Sequence, residues 1–304
     1  MALGYLLKRG EVMQELAILL LGLAAGDEIP SIAQLSAQFG VGRGTVQAAL
    51  ELLRAEAGLV TDARGSAASR LVACDPAGLW RAAGRRGLML LLPFPYSRRV
   101  MGLGTALAEV LRRSPVAHSL AYMRGARSRV EALAAGRADL AVVSGLAAAE
   151  ALEAAQDCEV LLRLSSESYA AGQGWLVRRG FSLWPARVRI GTDPASTDQS
   201  SLPRLLLPPW IEAEFVELPY LRMQTAVARA EVDAVVWPQD VLPGHEGLQL
   251  LPIGREPPEG ADQAVLLIRR GDRAARAMLR QVVSVQAVEA IQQEVLSGRR
   301  EPSE

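Results

Sequence analysis

Arg43, Gly44, Thr45 and Gln47 stand together in the stretch GVGRGTVQ at 40–47. An arginine can hold guanine through two hydrogen bonds and a glutamine can hold adenine, while a glycine lets the backbone come close to a partner. Such a set suits base edges in a DNA major groove, the alternative being a helical module that binds protein. A second set is spread over the rest of the chain: Tyr96, Ser97, Arg124, Ser144, Asp193, Ser196, Trp237 and Asp240 fall in or beside polar bends that follow short apolar runs. Arg124 offers a planar fork for a carboxylate or phosphate, and it suits an internal tie to a carboxylate such as Asp193 equally well. Ser97 and Ser144 each lead into a helix, where a hydroxyl and backbone N–H groups either hold an anion or simply cap the helix. Trp237 is placed to stack on a ligand or to close a strand within the core.

The same residue types argue against catalysis and against a metal or other cofactor. Cys74 and Cys158 lie far apart and form no CxxC pair, and the two histidines, His118 and His245, are in no strand-end bend. Cys158 stands at a strand start without a base beside it. Asp193 and Asp198 have the spacing of an acid–base pair, yet Pro194 and Ser196 between them fit a turn and a helix cap. The expectation is a binding protein and not an enzyme.

These side chains need elements to hold them. Val46, Ala49, Leu50 and Leu53 follow one face of a helix, so Arg43, Thr45 and Gln47 project from its first turn away from the core. Upstream, Ser31 and Gln34 have capping-box spacing ahead of Ile32, Leu35 and Phe39, and Gly40 ends that helix. Downstream, 58–61 reads as a strand, 62–66 as a tip bearing Arg64 and Gly65, and 69–73, with Arg70, as a returning strand. The pattern is a winged helix-turn-helix over 1–75, with 76–86 as a linker. Its charge is a poor match for DNA phosphates, since six Lys and Arg face eight Asp and Glu through residue 75. Position offsets this in part, because Arg43, Arg64 and Arg70 lie at the helix start and wing.

From residue 87 the chain repeats a unit of apolar run, polar bend and Ala/Leu/Arg-rich helix. The runs at 88–92, 118–122, 139–143, 187–190 and 233–237 imply a mostly parallel sheet covered on both faces. Ligands of open α/β sheets bind at the carboxyl ends of the strands, where the bends cluster. Crossings near 172–174 and 255–262 divide 87–304 into two lobes, one of about 87–171 with 262–304 and one of about 172–261. A last helix from Asp272 to about Leu296 is expected to pack on the first lobe.

The 304 residues suit two or three compact units, and the balance of 33 basic against 33 acidic residues gives no global field toward nucleic acid or membrane. The run LAILLLGLAAG at 16–26 has the look of a signal-peptide core, but Glu11 and Glu15 interrupt its approach and another helix-turn pattern follows. No other apolar run approaches a membrane span.

The first stretch resembles the GntR-type winged-helix regulators through Ile29-Pro30-Ser31, Leu35, Phe39-Gly40-Val41, Arg43 to Gln47, Ala49-Leu50, Leu53, Gly58 and Arg64-Gly65. The wing departs from the usual Gly-Thr-Phe-Val ending, with Ser69-Arg70-Leu71-Val72 in its place. The remainder resembles the effector domain of YhfZ-type regulators through LPFPYSRRVMGLGTAL, AYMRGARSRVEAL, DLAVVSGLAA, IGTDPASTDQ and VDAVVWPQD. That resemblance implies a type II periplasmic-binding-protein fold behind a DNA-binding head. It implies DNA contacts at Arg43, Thr45, Gln47 and the wing glycine region, and a cleft whose ligand it does not name.

Together these readings give an α/β chain: an N-terminal winged helix-turn-helix, then a two-lobed effector domain. It is expected to be a cytoplasmic homodimer on double-stranded operator DNA, with Ser31, Arg43, Gly44, Thr45, Gln47, Arg64, Gly65 and Arg70 facing the DNA. A small polar or anionic effector is expected in the cleft. The alternatives are an exported solute-binding protein and, less favoured, a cleft enzyme.

Overall fold

The structure, a computed structural model, describes residues 2–62, 69–181, 184–241 and 243–303. Contacts divide the chain into two units, Met1–Leu88 with Arg112–Ser119 and Gly271–Val282, and Met89–Leu111 with Leu120–Arg270 and Val283–Glu304.

The first unit opens with α1 (Ala2–Leu21), β1 (Glu28–Ile29), α2 (Ile32–Phe39), α3 (Arg43–Ala57), β2 (Val60–Asp62), β3 (Ser69–Ala73) and α4 (Pro76–Ala82). Val46, Ala49, Leu50 and Leu53 are buried, as their helical spacing requires. Residues 16–21 of the apolar run at 16–26 end α1, with Leu16, Ala17, Leu20 and Leu21 in the core. Ser31 and Gln34 form the capping box of α2, and Gly40 closes that helix in the left-handed region at φ 63°. The three strands pair antiparallel in the order β1-β3-β2, and the tip at 63–68, with Arg64 and Gly65, lies outside the described residues.

The stretch expected as a linker is instead largely helical. Asp75 caps α4 by accepting from the N–H groups of Ala77 and Gly78, both at 2.9 Å, and Pro76 takes the first helical position. Asp-Pro begins a helix as readily as it makes a turn, so the pair does not by itself mark a linker. Leu79 and Trp80 are buried, and a Cβ on Gly78 would stand 2.6 Å from the Ala57 Cα, so α4 is packed against α3.

The second unit carries two five-stranded sheets. The chain runs through β4 (Leu88–Leu92), α5 (Arg98–Arg112), β5 (His118–Tyr122), α6 (Ala126–Ala134), β6 (Leu140–Ser144), α7 (Gly145–Glu153) and β7 (Cys158–Arg163). It then forms β8 (Gln173–Arg178), β9 (Arg187–Thr192), α8 (Thr197–Leu206), β10 (Glu212–Glu217), α9 (Met223–Ala228), β11 (Ala234–Pro238) and β12 (Leu248–Pro252). It returns through β13 (Ala264–Arg269), α10 (Arg273–Val282) and α11 (Val285–Leu296).

The sheet orders are β5-β4-β6-β13-β7 and β10-β9-β11-β8-β12. Neither is wholly parallel. β4 and β6 run parallel, as do β10, β9 and β11, whereas β13 is antiparallel to β6 and β7, and β8 to β11 and β12. β8 and β13 are the first strands after the chain crosses between sheets. They arrive without a helical crossover, so nothing obliges them to run parallel to their neighbours. Aliphatic clusters cover each sheet: Leu91, Val130, Leu133 and Val143 in the first lobe, and Val188, Ile190 and Val236, then Met223, Val227 and Val235, on the two faces of the second.

The expected single last helix is two. Ser284 caps α11 by accepting from the Ala287 N–H at 3.2 Å, and α10 belongs with the first unit. There Met278 and Leu279 are fully enclosed, Arg273 pairs with Glu15 at 2.8 Å, Asp272 pairs with Arg85, and the Gln281 amide donates to the Leu21 carbonyl. The charge of the unit changes as a result. Its three stretches hold fourteen Lys and Arg against nine Asp and Glu, a net of about five positive charges in place of the two negative read from residues 1–75.

Candidate functional site

In the first unit the start of α3 is open to solvent. Arg43, Gly44 and Gln47 are exposed, and Thr45 is half-buried beside the core residue Val46. A Cβ on Gly44 would meet nothing within 4 Å, so nothing described in the chain requires glycine there. A glycine inside a helix costs about 1 kcal/mol relative to alanine. Gly42 precedes the helix with no side-chain cap. Two other expected DNA residues have internal duties. The Ser31 hydroxyl donates to the Gln34 side-chain oxygen at 2.8 Å and accepts from the Gln34 N–H, and Arg70 donates to the Gly26 carbonyl at 2.8 Å.

In the second unit a cavity of about 110 Å³ lies between the two sheets, where the bends after β4, β5, β9 and β11 meet the crossing into β8. Tyr96, Ser97, Arg124, Asp193 and Ser196 line it. Ser144, Trp237 and Asp240 do not, and each has another role. Ser144 is fully buried, caps α7 by accepting from the Ala147 N–H and donates to Asp198 Oδ1 at 2.7 Å. Trp237 stacks on Tyr220 with ring centres 4.8 Å apart and donates its indole N–H to the Val241 carbonyl. Asp240 faces Arg99 Nε at 3.4 Å.

The lining residues are organised by helix caps and by ties between lobes. Ser97 accepts from the Val100 N–H and Ser196 from the Gln199 N–H, so both hydroxyls cap helices that start at the cavity. Arg124 Nη2 meets Asp193 Oδ1 at 3.1 Å, and Asp193 also accepts from the N–H groups of Ala195 and Tyr220. The internal tie is thus the arrangement present. Arg127 adds a second, donating to the Pro194 carbonyl while forking onto Glu150. Gly125 permits the approach, since a Cβ there would stand 2.5 Å from the Ala195 carbonyl oxygen.

Sequence reading passed over Arg129, Tyr169, Gln173, Gln199 and Tyr220, all of which line the cavity, and considered Asp198 only as a catalytic partner. Arg129 is buried and donates to the carbonyls of Val142 (2.8 Å) and Met123 (2.6 Å) and to the Tyr169 hydroxyl (3.3 Å). Burial pushes the Asp198 carboxyl up to about 6, against the lowering by the Ser144 hydrogen bond and by the Arg129 charge. Burial likewise raises the hydroxyls of Tyr96, Tyr169 and Tyr220. Gln173 and Gln199 keep side-chain oxygens that are buried and accept no hydrogen bond among the described residues. A buried Arg or Gln inside an Ala-rich helix or an apolar strand has no local pattern to mark it, whereas Asp198 stands in the visible STDQ stretch that opens α8.

Comparison with known proteins supplies the lineage. Residues 8–68 match the model for bacterial regulatory proteins of the gntR family, and residues 75–304 match the YhfZ C-terminal domain. YhfZ of Escherichia coli (strain K12) is 33% identical over 305 residues, covering 98% of each chain. The crystal structure of YhfZ from Shigella flexneri superposes with a TM-score of 0.58 at 32% identity, covering 72% of this chain and 94% of that one. The periplasmic aliphatic sulphonate binding protein SsuA from Escherichia coli shares the fold at a TM-score of 0.53 and 16% identity, covering 70% of this chain and 75% of that one. With a gntR-family DNA-binding head in front of a periplasmic-binding-protein-like domain, this chain belongs to the YhfZ family.

Proposed function

We propose that this chain is a ligand-responsive transcriptional regulator that binds operator DNA through its head and a small polar or charged metabolite in its interlobe cavity. The observation that carries the reading is the pairing, in one chain, of an exposed recognition turn with a cavity built from two lobes and lined by aromatic, apolar and charged side chains. Arg43, Gly44 and Gln47 are exposed at a helix start where a glycine has no internal use. In helix-turn-helix proteins that position meets base edges. One recognition helix specifies few base pairs, so the regulator acts as a homodimer on a paired site, and DNA binding puts it in the cytoplasm.

The cavity supports binding and not turnover. Among the described residues no histidine or cysteine lines it, and Ser97 and Ser196 are engaged as helix caps. An exported solute-binding protein fits the C-terminal fold, but the apolar run that suggested export is core packing of α1 in the DNA-binding unit. Selection of bound sequences from random duplex DNA tests the reading. Enrichment of a two-fold-related motif is expected, and retention of DNA without sequence preference would contradict it.

A further inference from the structure

Two buried side-chain acceptors beside the cavity lack a donor. Gln173 on β8 and Gln199 on α8 are each more than nine-tenths buried, both line the cavity, and both have side-chain oxygens that receive no hydrogen bond among the described residues. Asp198, next to Gln199, adds a carboxylate that also lines the cavity and accepts from Ser144 at 2.7 Å. The two arginines of the wall are engaged elsewhere. Arg129 spends Nε, Nη1 and Nη2 on Val142, Met123 and Tyr169, and Arg124 is drawn to Asp193. A buried acceptor without a donor is destabilising, and a ligand that supplies the donor recovers that loss.

Three acceptors ask for three N–H or O–H bonds, and an ammonium group donates three while accepting none. A hydroxyl brings one donor with acceptor lone pairs the site does not need, and a carboxylate or sulfonate brings acceptors alone. The cavity wall includes Phe94, Tyr96 and Tyr220, with the two tyrosine ring centres 4.8 Å apart, and aromatic faces attract cations. The volume sets the size: about 110 Å³ is less than the roughly 150 Å³ of an apolar cavity that holds benzene, so the occupant has at most about six heavy atoms in this arrangement of the lobes.

We propose that the cavity takes a small primary amine in its protonated form, held by Gln173, Gln199 and Asp198 against the tyrosine wall. This rests on the reading of the cavity as an effector site and replaces the expectation of a polar or anionic effector with a cationic one. Neither Arg124 nor Arg129 carries the recognition; both hold the frame.

The full chain is tested by thermal shift and calorimetric titration with ethanolamine, isobutylamine and putrescine, beside glycerol and ethylene glycol as neutral donors and acetate and methanesulfonate as anions. At least one amine is expected to raise the melting temperature and to titrate to one site per chain. Asp198→Asn and Gln199→Leu are each expected to weaken that amine by about 10- to 100-fold. Both variants are checked for the circular dichroism and cooperative melt of the parent. Should either melt non-cooperatively, Asp198→Glu and Gln199→Met take its place, with weakening again expected. Amine binding that both variants leave unchanged overturns the assignment. Binding of a polyol or an anion in place of amines also overturns it but leaves the effector-site reading standing. If no compound of the three series binds, both fall.

Discussion

Asp198 is the side chain whose environment disagrees most with its chemistry. Its carboxyl is raised to about 6 in the folded protein, above the ordinary 3.8 it regains on unfolding, with Ser144, Arg129, Glu150 and Tyr169 as the polar and charged groups around it. The folded state therefore binds the proton more tightly. Stability falls as pH rises from about 4 through about 6, and the charged form carries a constant penalty above that range. Asp198→Asn keeps an acceptor for Ser144 and removes the charge, so it is expected to stabilise the protein by about 1–3 kcal/mol at pH ~7.5 and by much less at pH ~4.5. Denaturant titrations at the two pH values check this, and equal effects would contradict it. In the head, Gln47→Ala is expected to cost about 1–3 kcal/mol on a selected operator and to relax preference at one base pair. Equal losses on operator and random DNA would remove the readout role. Sequence showed these exposed head residues clearly, because the buried face of α3 fixes by difference what faces outward. It showed the cavity less well: serines and aspartates at helix starts look alike whether they meet ligand or backbone, and here Ser97, Ser144 and Ser196 all cap helices.

At the level of elements, most strands of the two lobes that have a helix after them were legible, β10 and β13 being the exceptions. β4, β5, β6, β9 and β11 announce themselves as apolar runs before polar bends, whereas β8, β12 and β13 carry no such punctuation, and they include the crossing strands that make both sheets mixed. The loops that close the cavity depend on backbone proximity, which no pattern encodes. Gly125 is the clearest case, at φ 81° with the Ala195 carbonyl where a side chain would be. Gly125→Ala is expected to force the lobes apart and abolish amine-induced thermal stabilisation. Gly136→Ala is the control: its φ is 69°, but an added Cβ would meet nothing nearer than 3.7 Å, so it carries the backbone strain without the collision. It should keep the ligand response, at a stability cost of about 1 kcal/mol. Identical behaviour of the two variants would show that lobe contact at Gly125 does not govern the site.

For the whole molecule, the largest departure from the sequence reading is the make-up of the head unit. Residues 1–75 look self-sufficient as a string of helix, turn and wing, yet the folded unit also encloses Leu79, Trp80, Met278 and Leu279. A fragment ending at Asp75 is therefore expected to melt broadly and without cooperativity, and a sharp two-state melt would contradict this. The same composition bears on regulation. α10 belongs to the head unit, while β13 before it and α11 after it belong to the cavity-bearing unit, so the chain joins the two at more than the stretch after residue 75. A flexible insertion at Asp75 would break the cap of α4 and would not separate the units. If the cavity regulates the head, the coupling is a free energy shared by both ligands, and each must change the affinity of the other by the same factor. The most direct measurement is fluorescence anisotropy of a selected operator duplex titrated with the full chain, with and without the bound amine, together with calorimetry of the amine with and without operator. The account predicts equal and reciprocal shifts of about 5- to 150-fold in the two affinities. Operator affinity that is the same with the cavity filled and empty would contradict it.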